Sequence, residues 1–152
     1  MSTTTILHIS YDLRKEANQV PLAVRTLISR SENTFRSAVV NLHRTSVPFR
    51  SRIEPISKNE IEIDHFGLRF GILMRWTLLR VARTVLEAAK RGLLDFESVD
   101  VIHAHKLTFE GIVGLAVARR LGRPLIVSIR ATDARVLRHR LDLRPLMRRI
   151  LG

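Results

Sequence analysis

The chain has 152 residues, 45% of them apolar, a formal net charge of +12 and no cysteine. Length and composition suit one packed domain and exclude a disordered chain, and the lack of cysteine excludes a disulfide frame, a thiolate metal site and a thiol nucleophile. The opening residues show no basic leader, so no signal peptide is expected; the longest charge-free apolar run, 111–118, falls far short of the about 18 residues that cross a bilayer.

Residues 5–10, TILHIS, read as a first buried strand. A helix pattern follows, with Asn18 or Gln19 as a cap, Pro21 in the first turn, and Val20, Val24, Leu27 and Ile28 at helical spacing. Residues 37–42, SAVVNL, read as a second strand. The stretch 44–59, with Pro48 and Pro55, reads as loop, and the alternating EIEID at 60–64 as a third strand. Residues 72–91 give the clearest helix. Arg75, Arg80, Arg83, Glu87 and Lys90 take one side; Leu78, Leu79, Ala82, Val85, Leu86 and Ala89 take the other, and Gly92 ends it. VDVIHAH at 99–105 reads as a fourth strand. The next helix has Thr108 as cap and Glu110 in its first turn, and stops at Gly122 before Pro124. PLIVSI at 124–129 reads as a fifth strand, and 134–151 as mostly helical with a break near Pro145.

Short apolar strands alternating with helices imply a doubly wound, Rossmann-like parallel sheet of about five strands with helices on both faces. A single domain over 1–152 is expected. Because the chain stops on a helix, where a doubly wound domain would normally return another strand, an incomplete domain is expected; a compact five-stranded domain ending on a helix is the alternative.

In such a sheet, ligands bind beyond the carboxyl ends of the strands. Those ends carry Ser10, Tyr11 and Asp12; His103 and His105; and Ser128 to Arg130, followed by Asp133. His103 and His105 are two apart, so a strand points both to one side. That is a metal-binding geometry, but a site needs a further ligand. The sequence offers no second histidine pair and no His-Glu-x-x-His, so no metal is expected. Two readings remain: one core and one rim histidine, or a ligand-bonding His105. Arg130 follows an apolar run and must reach water, clamp the turn through Asp133, or meet an anion. The turn after the first strand lacks Gly-x-Gly-x-x-Gly, and the chain contains neither a Walker loop nor Gly-x-Ser-x-Gly. A dinucleotide site at that turn and an esterase elbow are therefore not expected.

The charge is concentrated. Residues 119–149 hold ten arginines against two aspartates. Such a field suits phosphorylated ligands, acidic lipid or nucleic acid, or it is a solvated helix face. That stretch contains no aromatic residue, which weighs against stacking on single-stranded nucleic acid.

The run DVIHAHKLTFEGIVGLAVARRLGRPLIVSIRATD resembles the centre of the amino-terminal domain of family 4 glycosyltransferases, retaining enzymes with two Rossmann-like domains (the GT-B architecture). Asp100, His103, His105, Gly111, Ala118, Arg119, Leu121, Gly122, Pro124 and Asp133 stand in register with the family pattern, and ILHIS is similar to its first strand. The match departs from that pattern at two places. The loop 12–18 has no glycine pair, and Arg130 and Ala131 stand where the family has histidine and glycine. The resemblance implies the acceptor-side half of a hexosyltransferase. A carboxyl-terminal domain, absent from this chain, would bind the nucleotide-sugar donor, and this chain alone would be inactive. It implies no cofactor and no catalytic residue in this chain, and substrate contacts at His105, Arg130, Asp133, His103 and Asp12. The implied partners are a glycan, lipid-linked or small-molecule acceptor and an anionic membrane surface, with a cytoplasmic location, peripheral at the membrane face. A non-catalytic basic module binding nucleic acid or a protein partner is the alternative.

Overall fold

Leu7 and Ile9 alternate with His8 and Ser10, so a strand here sends aliphatic groups to one face and polar groups to the other. The same alternation recurs in the neighbouring strands and sets the architecture. The computed structural model describes residues 3–11, 23–45, 52–66 and 71–152. These form six strands, β1 (Thr5–Tyr11), β2 (Arg36–Thr45), β3 (Arg52–Ser57), β4 (Glu60–Phe66), β5 (Val101–Ala104) and β6 (Leu125–Val127). The helices among them are α1 (Ala23–Ser31), α2 (Gly71–Lys90), α3 (Phe109–Leu121), α4 (Ala131–His139) and α5 (Arg144–Leu151).

The strands make one sheet in the order β3-β4-β2-β1-β5-β6. All neighbours run parallel except β3 and β4, which form an antiparallel hairpin. The mixed α/β class and the mainly parallel sheet match the sequence expectation. The extra strand does not: β3 lies within the stretch read as loop. Proline lacks an amide hydrogen and is confined to sheet edges, bulges and strand starts. β3 is an edge strand, and its register shifts between Pro55 and Ser57, so Pro55 is accommodated there.

One face of the sheet is apolar. Leu7, Ile9, Ala38, Val40, Leu42, Ile61, Ile63 and Ile102 pack under α2, α3 and α5 in one cluster with Leu78, Val85, Val113, Val117 and Met147. Each fully buried Leu or Ile there contributes about 1.5–3 kcal/mol by leaving water. α1 lies on the other face, where Val24 and Ile28 cover Val39. Helices therefore flank both faces, unequally.

Helix ends follow the sequence signals with two refinements. Gly122 takes the left-handed conformation, φ 65°, and its amide bonds Ala118 O, closing α3. Thr108 sits at the start of α3 but makes no side-chain cap bond. The predicted break near Pro145 falls at 140–143, and Pro145 lies in the first turn of α5, where its missing amide hydrogen does no harm. On α2, Leu79 is exposed rather than buried, beside exposed Leu73 and Trp76. Asn18, Gln19, Val20, Pro21 and Pro48 lie outside the described residues. No helix among the described residues is long and apolar enough to cross a membrane.

Candidate functional site: a histidine cluster at the strand switch point

β1 is flanked by β2, reached through α1 on one face, and by β5, which leads into α3 on the other. Chain order reverses direction across the sheet at this pair. The carboxyl ends of β1 and β5 thus form the crevice where open α/β sheets place ligands. The parallel register sets His8 directly beside His103. His105 lies two residues past His103, and its amide bonds Ile9 O at 3.2 Å, extending the ladder past Ala104. All three imidazoles therefore stand on the polar side of the sheet.

The rings touch. His8 Nδ1 and His105 Nε2 are 2.9 Å apart, a hydrogen bond in which one ring donates and the other accepts according to tautomer. These two rings stack at 5.2 Å with 17° between planes, and His103 lies 4.1 Å from His105 by centroids. Ser128, just past β6, places Oγ 2.8 Å from His103 Nε2, and Ser37 Oγ lies 3.5 Å from His8 Nε2. His8 and His105 are each 2% exposed, while His103 is half-buried.

Burial disfavours the charged imidazolium in all three. It lowers His8 to about 4, helped by repulsion from His103. It lowers His105 to about 3, helped by His103, His8 and Arg130. His103 is also lowered by burial. At neutral pH the site is a cluster of three uncharged imidazoles with an arginine nearby. Such a group can accept hydrogen bonds, orient hydroxyls, shuttle a proton or ligate a borderline metal ion.

The remaining expected site residues divide. Arg130 is exposed, and its charge helps to lower His105, which puts the guanidinium within electrostatic reach of that ring. Asp133 is buried; its Oδ2 accepts the Arg130 backbone amide at 2.8 Å. It starts α4 in the manner of a capping box, holding Arg130 by its backbone rather than by its guanidinium. Asp12 lies outside the described residues. The start of α3 is occupied by its own carboxylate: Glu110 is fully buried, with Lys106 Nζ 3.6 Å from its Oε1. Asp100 serves the scaffold, its Oδ2 accepting the Thr5 amide at 2.9 Å.

Neither a family model nor a curated protein matches this chain. The site therefore rests on its own geometry.

His8 is the member that sequence reasoning missed. Its signal was present: alternation of Leu7 and Ile9 against His8 sends that ring to the face opposite the core, and adjacency of the first and fourth strands would have set it beside His103. Two other polar features lie apart from the cluster. His43 Nε2 is 3.0 Å from Asn41 Nδ2 and 3.3 Å from Glu62 Oε1, on β2 and β4. A hollow of about 540 Å³ beside α1 is lined by Arg25, Ile28, Glu32, Val39 and Glu60. No histidine lines that hollow.

Proposed function

We propose that this chain is the acceptor-side Rossmann-like half of a GT-B sugar transferase that uses a nucleotide-sugar donor, with a second domain required for donor binding and turnover. One observation carries the reading: His103, His105 and Arg130, which stand within the run resembling family 4 glycosyltransferases, come together at the switch point of a mainly parallel sheet. Uncharged imidazoles there suit sugar hydroxyls as hydrogen-bond partners, and the Arg130 guanidinium suits a phosphate or carboxylate on the acceptor or donor. The reading assigns binding, not catalysis, to these groups. Exposed arginines of α4 and α5 would face an anionic membrane or a phosphate-bearing acceptor, placing the protein in the cytoplasm or at its membrane face.

Turnover of a panel of nucleotide-sugars is measured with the chain alone and with the chain joined to the sequence encoded downstream of it. Transfer by the joined form only, weakened by His105→Ala and Arg130→Ala, supports the reading. A joined form that neither binds nor turns over any nucleotide-sugar refutes it.

A second reading, a non-catalytic basic module, is favoured by the exposure of Arg119, Arg120, Arg123, Arg135, Arg138, Arg148 and Arg149. Its partner would be nucleic acid or an acidic protein surface. Binding of duplex and single-stranded nucleic acid across a salt series tests the first: affinity that falls steeply with salt would support it, since released counterions drive such association.

A further inference from the structure

We propose that His8, His103 and His105 form a binding site for a borderline divalent transition metal, zinc foremost, held by three imidazole nitrogens with a further coordination position open. The proposal goes beyond the transferase reading and does not depend on it.

Geometry comes first. One nitrogen from each ring can be chosen so that all three lie within 4.8 Å of one another. Zinc–nitrogen bonds of about 2.0–2.1 Å in a tetrahedral site put ligand nitrogens ~3.4 Å apart. The His8–His105 pair, at 2.9 Å, is about 0.5 Å closer than that and opens by this amount when an ion replaces its hydrogen bond. The third nitrogen closes by about 1.4 Å at most, a displacement that rotation of a ring about its χ angles supplies.

The scaffold is rigid where it matters. His8 and His103 are register partners on adjacent parallel strands, and His105 is tied to β1 through its amide bond to Ile9. The Ser37 and Ser128 hydroxyls stand at Nε2 of His8 and of His103, the kind of contact that orients an imidazole whose other nitrogen ligates a metal. Three nitrogens without thiolate or carboxylate suit zinc, copper, nickel or cobalt and exclude calcium and magnesium, which take oxygen ligands.

Charge opposes the ion in part. Arg130 is near, and the whole chain is strongly basic. That repulsion lowers affinity for a bare dication but favours an anion at the open position, where the metal and the guanidinium would both attract it. Without an ion the same rings are held by the His8–His105 hydrogen bond, which metal binding replaces.

Untagged chain stripped with a chelator is titrated with Zn²⁺ in competition with a chromophoric indicator, and with Co²⁺ while its visible spectrum is recorded. The expected result is one ion per chain with Kd on the order of 1 μM or tighter and an intense tetrahedral cobalt spectrum. His8→Asn, His103→Asn and His105→Asn each weaken binding by about tenfold or more, while the exposed His139→Asn does not. Far-UV circular dichroism checks that each variant folds. Should one fail to fold, X-ray absorption on the zinc-loaded wild type counts the ligands directly: three imidazoles support the site, and fewer overturn it. Absence of stoichiometric uptake, or uptake retained when all three histidines are replaced, also overturns it. A failed transferase assay leaves these readouts unchanged, so the two ideas stand or fall separately.

Discussion

Acid should weaken the metal-free fold through the histidine cluster, and by an amount the structure sets. The perturbation is a fall from about pH 7.5 to about pH 5 in excess chelator, where unfolded imidazoles with the ordinary value near 6.5 become protonated. In the fold, His8 and His105 are held neutral, lowered to about 4 and about 3. Among the described residues, the charged or titrating groups that bear on them are His103 and Arg130, and both disfavour an imidazolium. A depressed value in the folded state contributes stability that is fully present above about 6.5 and is lost as pH falls toward the folded values. At about pH 5 each ring has withheld one proton that the unfolded chain accepts, so each removes ~2 kcal/mol and the two together ~4 kcal/mol. Against a usual domain stability of about 5–15 kcal/mol, that loss is large. Urea denaturation followed by far-UV circular dichroism at the two pH values measures it; tryptophan fluorescence is less suited because Trp76 is exposed in the folded chain. The comparison is with His8→Asn/His105→Asn. The variant keeps every other titrating group, so its pH-dependent loss should be smaller than the wild type's by ~4 kcal/mol. Equal losses in the two proteins would refute the picture of buried, neutral rings.

Three further outcomes follow from packing and capping. Gly111→Val should destabilise by about 1–3 kcal/mol in thermal or urea melts, because an added Cβ would lie 3.1 Å from the Lys106 carbonyl oxygen and 3.3 Å from Ile150 Cδ1; a rise in stability would show that α3 has room to move off the sheet. Ile102→Ala, fully buried beneath α3, should cost about 2–5 kcal/mol by urea denaturation, and a loss under 1 kcal/mol, well below that range, would contradict its core position. Asp133→Ala should lower stability by about 0.5–2 kcal/mol through loss of its bond to the Arg130 amide, with acceptor or metal affinity unchanged; a large affinity loss without a stability change would make Asp133 a ligand contact instead.

The sheet was legible where sequence and burial speak the same language. Runs such as ILHIS, SAVVNL and VDVIHAH carry alternating or continuous apolar residues between turn residues, and each became a parallel strand at or near its expected place. β3 was not legible, because Arg52, Glu54 and Pro55 give it no apolar period; an edge hairpin strand needs only one partner and little burial. Leu79 was assigned to the buried side by its residue type, whereas the position of α2 on the sheet leaves it in solvent. The site was half legible. His-x-His at a strand end stands out within one segment, and Arg130 was expected beside it. His8 was not identified, since only strand order brings residues 97 positions apart into contact. Asp133 reads as a ligand contact or as a turn residue, and the bond to a backbone amide is invisible in composition.

That same separation governs when the histidine cluster can exist. β1 is made first and β5 only after the hairpin and α2, so His8 waits through most of the chain before its partners arrive. Bringing such distant segments together carries a loop-closure entropy that no nearby contact repays in advance. The cluster therefore forms only when the two halves of the sheet meet. A probe that sees His8 and His105 in contact reports that the two halves of the sheet have joined, which helix content alone would not reveal.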